Sequence, residues 1–255
     1  MRKRTIIIGD IHGCLDEFKA LIELCKYDQN IDRCIIDGDL VDRGPSSAGC
    51  VQLAMDLNAE FVIGNHDDKY IRYARHEEKK THTGRHHYKN PINLNEEKRK
   101  VWQTLTPEMV EYISKGKYVI PLWEYNTLVM HAGVRPGPDP DRREREEYIY
   151  TRYIHKDDYR LLNLPGDFSQ PPNSVHWTDV YDGTVNIVYG HDVQSLDKPV
   201  IKTNDKGAKT FGIDTGCPFG GHLTAIIFNQ DKEPEFVQIK AKKAWKDFRL
   251  ARSNA

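Results

Sequence analysis

The chain has 255 residues, of which 38% are hydrophobic and 29% charged, a composition that supports one folded domain with a sizeable core. The 37 Lys and Arg residues almost balance the 38 Asp and Glu residues, and the formal net charge of −1 excludes a global attraction to nucleic acid or a membrane surface. No apolar run approaches the roughly 18 residues of a membrane span, so we expect a soluble, cytoplasmic protein without a membrane partner.

Apolar runs alternate with helical patterns along the chain. The first run, "TIII", precedes "CLDEFKALIELCKY", in which apolar residues recur at the 3, 4 and 7 spacings of an amphipathic helix. The runs "RCIID" and "SSAGCVQLAMDL" repeat this order before the strand "EFVIG". These βα units predict a partly parallel sheet with helices on its faces. The later runs "TLVMHAG", "NIVYGHD", "KTFGID" and "LTAIIF" lack such helices, and we expect antiparallel pairs there.

A polar region follows the third predicted strand. It contains helix signals in "NEEKRKVWQTL" and in "TPEMVEYISKG", where Thr106 can cap a helix and Pro107 stands at its first position. We predict one domain over residues 1–240 with a helical insertion at about 67–117, followed by a basic C-terminal tail, 241–255. The basic stretches "RYARHEEKKTHTGRHHYKN" and "KAKKAWKDFRLARS" leave two interpretations open, contact with nucleic acid or other phosphates and an ordinary solvated surface.

Five of the apolar runs end in polar side chains that have glycines beside them. The carboxyl ends of strands line the ligand crevice of an open α/β sheet, so these groups could converge although they are far apart in the chain. They are Asp10, His12, Asp39, Asp42, Arg43, Asn65, His66, Asp67, His131 and His191.

Each of these residues alone has an ordinary structural explanation. A single Asp after a strand commonly caps a turn or helix, and a buried His is commonly just hydrogen-bonded. Within this set, three of the His, two of the Asp and the Asn already offer too many ligands for one tetrahedral zinc ion, but they suit two divalent ions that share a carboxylate. Paired metal ions about 3.5–4 Å apart are suited to in-line displacement at phosphorus.

The ordered blocks "GDIHG", "GDLVDRG", "GNHD", "HAG" and "GH" resemble the calcineurin-like metallophosphoesterase superfamily over roughly residues 5–230. They are similar in particular to its serine/threonine-phosphatase-like branch, with phage lambda-type phosphatases and diadenosine tetraphosphatases. The stretch "IDTGCPFGGHLTAIIF" also resembles the phosphatase module of bacterial polynucleotide kinase-phosphatases. The resemblance implies an α/β fold, a four-layer αββα sandwich.

The resemblance also implies a set of metal ligands. Asp10 and His12 would hold the first ion, Asp39 would bridge both ions, and the second would be completed by Asn65, His131 and His191. The residues involved supply carboxylate, imidazole and amide groups but no thiolate, which allows Mn, Fe or Zn. Two Mn ions are our preferred assignment.

Other positions resemble residues that act on the phosphate. His66 resembles the family's catalytic histidine, Asp42 its orienting partner and Arg43 a phosphate clamp. Asp67 stands where glutamate is often found, which keeps a carboxylate but shortens it. Arg152 in "YIYTRY" is the candidate second phosphate-binding arginine by its order along the chain, and an exposed surface arginine is the competing interpretation.

These roles predict a hydrolase in which a hydroxide bridging the two metal ions attacks phosphorus directly, while His66 protonates the departing oxygen. The expected substrates are phosphomonoesters of broad range, including phosphoserine and phosphothreonine in proteins. A dinucleoside polyphosphate hydrolase and a nucleic-acid end phosphatase or cyclic phosphodiesterase are the alternatives. A non-catalytic binding module would be marked by loss of a ligand, and none is lost.

Overall fold

The computed structural model describes residues 4–82, 89–162, 170–230 and 232–248. The α-helices in these ranges are α1 (Leu15–Leu24), α2 (Ser47–Asp56), α3 (Asn65–His82), α4 (Glu96–Trp102), α5 (Pro107–Ser114) and α6 (Arg145–Tyr150). The strands are β1 (Arg4–Ile8), β2 (Asp32–Ile36), β3 (Glu60–Phe61), β4 (Val119–Leu122), β5 (Thr127–Met130), β6 (Tyr153–His155), β7 (Ser174–His176), β8 (Asn186–Tyr189), β9 (Val200–Thr203), β10 (Lys209–Gly212), β11 (His222–Asn229) and β12 (Glu235–Lys240). None of the described helices combines the length and the apolar character needed to cross a bilayer.

Two five-stranded sheets form the centre of the fold. The first sheet has the order β12-β11-β1-β2-β3 and the second sheet the order β4-β5-β8-β10-β9. Because successive side chains of a strand point to opposite faces, β1 can serve two cores at once. Ile7 packs in the cluster between the sheets with Val129 and Val188, whereas Ile6 and Ile8 belong to the cluster on the outer face of the first sheet.

Helices cover the outer faces of both sheets. Side chains of α1, α2, α3 and α5 fill the outer cluster of the first sheet, for example Phe18 and Val51. On the second sheet, Ile149 of α6 and the fully buried Trp177 pack against Met130. The order helix, sheet, sheet, helix confirms the predicted four-layer α/β sandwich.

The pairing within the second sheet differs from the sequence-based expectation. Antiparallel pairing is correct for β4 with β5 and for β9 with β10, but β8 is parallel to both β5 and β10. Long connections allow this, because the chain between β5 and β8 passes through α6 and the separate β6-β7 pair before it returns to the sheet. The expectation of antiparallel pairs throughout was therefore wrong for these two strand pairs.

The helical insertion begins with α3 and continues through α4 and α5. Asn95 caps α4 by accepting a hydrogen bond from the backbone N–H of Lys98, and Thr106 caps α5 in the same way with Met109. Both helices were predicted from their sequence signals. Part of the basic stretch in this insertion, residues 83–88, lies outside the described residues.

The first part of the predicted C-terminal tail packs on the domain. The backbone N–H of Trp245 donates to the carbonyl of Pro218 at 2.8 Å, and the Phe248 ring lies 5.2 Å from that of Phe219. Lys246 Nζ is 2.6 Å from a carboxylate oxygen of Glu97 on α4. The tail thus connects the loop before β11 with the insertion, and residues 249–255 lie outside the described range.

Candidate metal centre

The six predicted metal-ligand residues meet at one edge of the sandwich. β1, β2 and β3 are parallel in the first sheet, and β5 and β8 are parallel in the second, so the carboxyl ends of each set lie together. The residues that follow these strands are Asp10, His12, Asp39, Asn65, His131 and His191. Convergence of these strand ends, expected from the sequence, is therefore observed.

The first group of candidate ligands surrounds His12. Its Nε2 lies 3.3 Å from Asp39 Oδ2 and 3.7 Å from Asp10 Oδ2. Its Nδ1 is 2.9 Å from the backbone carbonyl of Val41, which can only accept a hydrogen bond. Nδ1 therefore carries the proton, and the lone pair of Nε2 faces the carboxylates, as a metal-binding imidazole requires.

The second group surrounds His131 and is oriented in the same way. His131 Nδ1 donates to the carbonyl of Asp37 at 2.9 Å, which leaves the lone pair on Nε2. This Nε2 lies 3.1 Å from Asn65 Oδ1, 3.2 Å from His191 Nδ1 and 3.6 Å from Asp39 Oδ1. Asp39 belongs to both groups, because its carboxylate oxygens lie within 4.8 Å of ring nitrogens of His12 and His66 on one side and of His131 and His191 on the other.

The electrostatics of this edge fit bound cations. Burial, together with the neighbouring carboxylates of Asp214, Asp39 and Asp37, raises the pKa of Asp10 well above its ordinary value. Burial is also the main cause of the lowered pKa values of His12, His66, His131 and His191. The neutral imidazoles of His12, His131 and His191 and the crowded carboxylates form a donor set that divalent ions satisfy.

Unsatisfied buried atoms support the same fit. Within the described part of the chain, His191 Nε2 and both carboxylate oxygens of Asp37 have no hydrogen-bond partner. Buried polar atoms are normally paired because desolvation without a partner is costly. The donor set is therefore compatible with metal ions at this position.

Arg43 and His66 lie beside these candidate ligands. One guanidinium nitrogen of Arg43 is 2.6 Å from His12 Nε2 and another is 3.3 Å from His66 Nε2. The guanidinium lies over the ring of Phe219, 5.0 Å from its centroid. His66 Nδ1 is 2.6 Å from Asp42 Oδ2, so the opposite nitrogen, Nε2, faces Arg43 and the candidate ligands.

Arg152 lies beside the candidate ligand His191, whereas Asp67 lies behind the loop that carries Asn65. Arg152 is largely buried, donates to the backbone carbonyl of His191 at 3.1 Å and lies 3.5 Å from Asp192. This geometry excludes the interpretation of Arg152 as an exposed surface arginine.

Asp67 is fully buried, and its Oδ2 accepts the backbone N–H of Gly64 at 3.1 Å, a contact that supports the loop bearing Asn65.

Four polar residues around the site, three buried and one largely buried, were not predicted from the sequence. Asp37 and Asp214 follow β2 and β10 and have the same strand-end signal, in "IIDGD" and "GIDTG", as the residues that were selected. Tyr70 and Lys98 both contact Asp42 and come from α3 and α4. No spacing or motif in the helical insertion marked those two residues.

Gly190 provides room for Asp10. A Cβ at position 190 would lie 2.0 Å from Asp10 Oδ1 and 3.1 Å from Asp37 Oδ2. We expect Gly190→Ala to displace Asp10 and to lower metal affinity by about 10- to 100-fold, as the loss of groups that orient metal ligands commonly does. Isothermal titration of the metal-free chain with Mn²⁺ measures this change.

Gly207→Ala is the control for this variant, because it strains the backbone without displacing a candidate metal ligand. Gly207 has a φ of +82°, and a Cβ there would meet nothing within 4 Å. Gly207→Ala should therefore lower the melting temperature and leave Mn²⁺ affinity unchanged. Equal affinities of Gly190→Ala and the unmodified chain would contradict the role of Asp10 in binding metal.

Comparisons with known proteins agree with this geometry. Residues 3–223 match the family model described as calcineurin-like phosphoesterase. The asymmetrical bis(5′-nucleosyl)-tetraphosphatase PrpE of Halalkalibacterium halodurans is 32% identical, and the match covers 92% of this chain and 93% of that protein. The symmetrical bis(5′-nucleosyl)-tetraphosphatase of Haemophilus ducreyi is 26% identical, with 89% and 98% covered.

A solved structure extends the similarity to three dimensions. The crystal structure of a provisionally assigned diadenosine tetraphosphatase superposes with a TM-score of 0.71 at 26% identity, and the match covers 94% of this chain and 95% of that one. The match supports the layered architecture and the order of its elements along almost the whole chain.

Proposed function

Because the chain belongs to the calcineurin-like phosphoesterase family, a family of metal-dependent hydrolases, we propose that it hydrolyses bis(5′-nucleosyl) tetraphosphates. The two relatives quoted above carry this name and match nearly their full lengths, and they differ in whether the cut is asymmetrical or symmetrical. We favour the asymmetrical cut, which divides the four-phosphate bridge into a nucleoside triphosphate and a nucleoside monophosphate. Among the matches that cover most of both chains, asymmetrical relatives reach 32% identity, whereas the symmetrical ones quoted or similar to them are 26–27% identical.

The observation that carries the proposal is that the Asp39 carboxylate lies between two groups of candidate ligands, with Oδ2 3.3 Å from His12 Nε2 and Oδ1 3.6 Å from His131 Nε2. Asp10, His12 and Asp39 would hold one divalent ion, and the other would be held by Asp39, Asn65, His131 and His191. When bound, two such ions supply positive charge to phosphoryl oxygens and lower the pKa of a coordinated water. Mn is our preferred metal and Fe or Zn the alternatives, since the ligands are oxygen and imidazole without thiolate.

The remaining residues of the site would act on the substrate directly. Arg43 and Arg152 are the proposed phosphate ligands, because a guanidinium fork remains charged and matches two phosphoryl oxygens. His66 would donate a proton from Nε2 to the departing oxygen, and because Nδ1 already donates to Asp42, the donating form is the doubly protonated ring, whose positive charge the Asp42 carboxylate stabilises. Its Nδ1 is engaged by Asp42, so the ring can turn only its other nitrogen to the substrate.

Phosphoprotein and nucleic-acid substrates are the competing expectations from the sequence. The named relatives support nucleotide substrates more than phosphoserine or phosphothreonine. The two tail aromatics considered for stacking on RNA are engaged within the fold, since Phe248 contacts Phe219 and Trp245 packs on the outer cluster of the first sheet. These contacts favour a structural role for residues 241–248.

A panel of substrates tests the proposal. The purified chain, supplied in turn with Mn²⁺, Fe²⁺ or Zn²⁺, is incubated with bis(5′-adenosyl) tetraphosphate, a phosphoserine peptide, a phosphothreonine peptide, and RNA with a terminal or cyclic phosphate. We expect the highest kcat/KM for the tetraphosphate, with ATP and AMP as products on ion-exchange chromatography. Two molecules of ADP would instead indicate a symmetrical cut. Higher kcat/KM for a phosphopeptide or RNA would contradict the proposal, and no metal-dependent turnover would indicate a binding module.

A further inference from the structure

We propose that the helical insertion contributes two positioning residues, Lys98 and Tyr70, which hold the carboxylate of Asp42 and thereby the orientation of His66. This inference rests on the proposed function, in which His66 donates a proton to the leaving group. It assigns a role in the reaction to α3 and α4. This role differs from both expectations for the insertion, which were that it binds phosphates and that it is an ordinary solvated surface.

Asp42 is the meeting point of three donors. It is only 4% exposed, and its Oδ2 contacts both His66 Nδ1, at 2.6 Å, and Lys98 Nζ. Its Oδ1 accepts the hydroxyl of Tyr70 at 2.5 Å. A buried carboxylate with both oxygens engaged has one fixed orientation, and the ammonium group offsets its charge.

Lys98 lies on the side of the His66 ring that faces Asp42, and this position determines how Lys98 can act. Lys98 Nζ is 3.3 Å from His66 Nδ1, the nitrogen that faces Asp42. The other nitrogen, His66 Nε2, faces Arg43 at 3.3 Å. The imidazole ring therefore separates Lys98 from the candidate metal ligands, so that Lys98 acts through Asp42 and His66 rather than on the phosphate.

The burial of Lys98 is unusual for its helix. Its side chain is 17% exposed, whereas that of Lys100, two residues later, is 72% exposed and pairs with Glu96. Burial lowers the pKa of Lys98 to about 8. A lysine is seldom buried without a specific partner, and the carboxylate of Asp42 supplies it.

Aromatic packing fixes the helix that carries Lys98. The Trp102 ring of α4 stacks on the Tyr70 ring of α3 with centroids 6.4 Å apart and an interplanar angle of 6°. It also meets Tyr73 edge to face at 5.0 Å. The position of Lys98 is thus set by contacts between α3 and α4, and these helices belong to the insertion rather than to the two sheets.

The test compares Lys98→Met with the matched control Lys100→Met on the same helix, using p-nitrophenyl phosphate and ethyl phosphate at saturating Mn²⁺. A good leaving group needs little protonation and an alkoxide needs much. We expect Lys98→Met to lower kcat on ethyl phosphate by about 10- to 100-fold, to lower kcat on p-nitrophenyl phosphate far less, and to leave KM unchanged. Lys98→Arg should recover part of the loss, and Lys100→Met should change neither kcat nor KM.

A double-mutant cycle identifies the residue through which Lys98 acts. In the His66→Asn background, Lys98→Met should cause no further loss, because the group that it positions is already absent. Tyr70→Phe, which retains the packed ring, should give the same leaving-group pattern in a milder form and serves as the second variant if Lys98→Met does not fold.

Equal losses on both substrates, a raised KM, or losses that add in the His66→Asn background would overturn the inference while leaving the proposed hydrolase intact. Absence of metal-dependent hydrolysis in the unmodified chain would overturn both. Metal content and melting temperature are measured for every variant, so that loss of metal or of folding is distinguished from loss of positioning.

Discussion

Asp39→Asn should abolish hydrolysis and remove bound metal at the same time. Asp39 is the one residue shared by the two groups of candidate ligands that contain histidine in the described part of the chain. Replacing its carboxylate by an amide removes a negative charge that both ions would share, so both sites weaken together. We expect activity to fall by more than the roughly 10- to 100-fold typical of residues that only orient a ligand.

Metal content after dialysis and kcat/KM on p-nitrophenyl phosphate measure this outcome. The control is Asp56→Asn, the same chemical change on the exposed side of α2, where the Asp56 carboxylate accepts a hydrogen bond from Gln52 Nε2 at 2.8 Å. It should retain metal and activity. Two firmly held ions with near-normal turnover in Asp39→Asn would show that Asp39 does not bridge them.

The melting temperature with and without metal adds an independent readout. Burial alone would raise the pKa of Asp39, but the neighbouring histidines and Arg43 hold it below its ordinary value, so the carboxylate is charged and available to metal ions. Metal should therefore raise the melting temperature of the unmodified chain, and Asp39→Asn should lose this stabilisation.

The site was largely predictable because the strand signal and the ligand signal coincide in the sequence. The run Ile6–Ile8 predicts a strand buried on both faces, and the structure divides its side chains between two cores. Asp10 and His12 follow that strand directly, and the parallel pairing of β1 with β2 brings them to Asp39. Local patterns therefore predict the residues of the site, since the topology of a layered α/β fold brings strand ends together.

The remaining features depend on contacts that no local pattern encodes. The parallel pairing of β8 with its neighbours depends on long connections, and its strand sequence is equally compatible with antiparallel pairing. Lys98 stands in a charged stretch typical of an exposed helix, and only the packing of Trp102 on Tyr70 brings it to Asp42. A residue brought to the site by tertiary packing follows no spacing rule, so Lys98 and Tyr70 could not be selected from the sequence.

His66→Asn should retain metal, and its loss of activity should be larger for substrates whose leaving group departs as a more basic oxygen. The expected loss is about 10²- to 10⁴-fold on ethyl phosphate, the range that a general acid contributes, and much smaller on p-nitrophenyl phosphate. The reason lies in the orientation of the ring, since Asp42 engages Nδ1 and leaves Nε2 beside Arg43 as the only nitrogen that can face the substrate. His76→Asn, on the same helix α3, is the matched control and should leave both rates unchanged.

The ratio of the two losses distinguishes proton donation from phosphate binding. A histidine that only binds the phosphoryl group would be needed equally for both substrates, because both present the same phosphoryl oxygens to Arg43. A general acid is needed in proportion to the charge that develops on the departing oxygen, which is large for an ethoxide and small for a p-nitrophenolate. Equal losses on the two substrates, with metal retained, would therefore assign His66 to phosphate binding, and the acid would have to be sought elsewhere in the site.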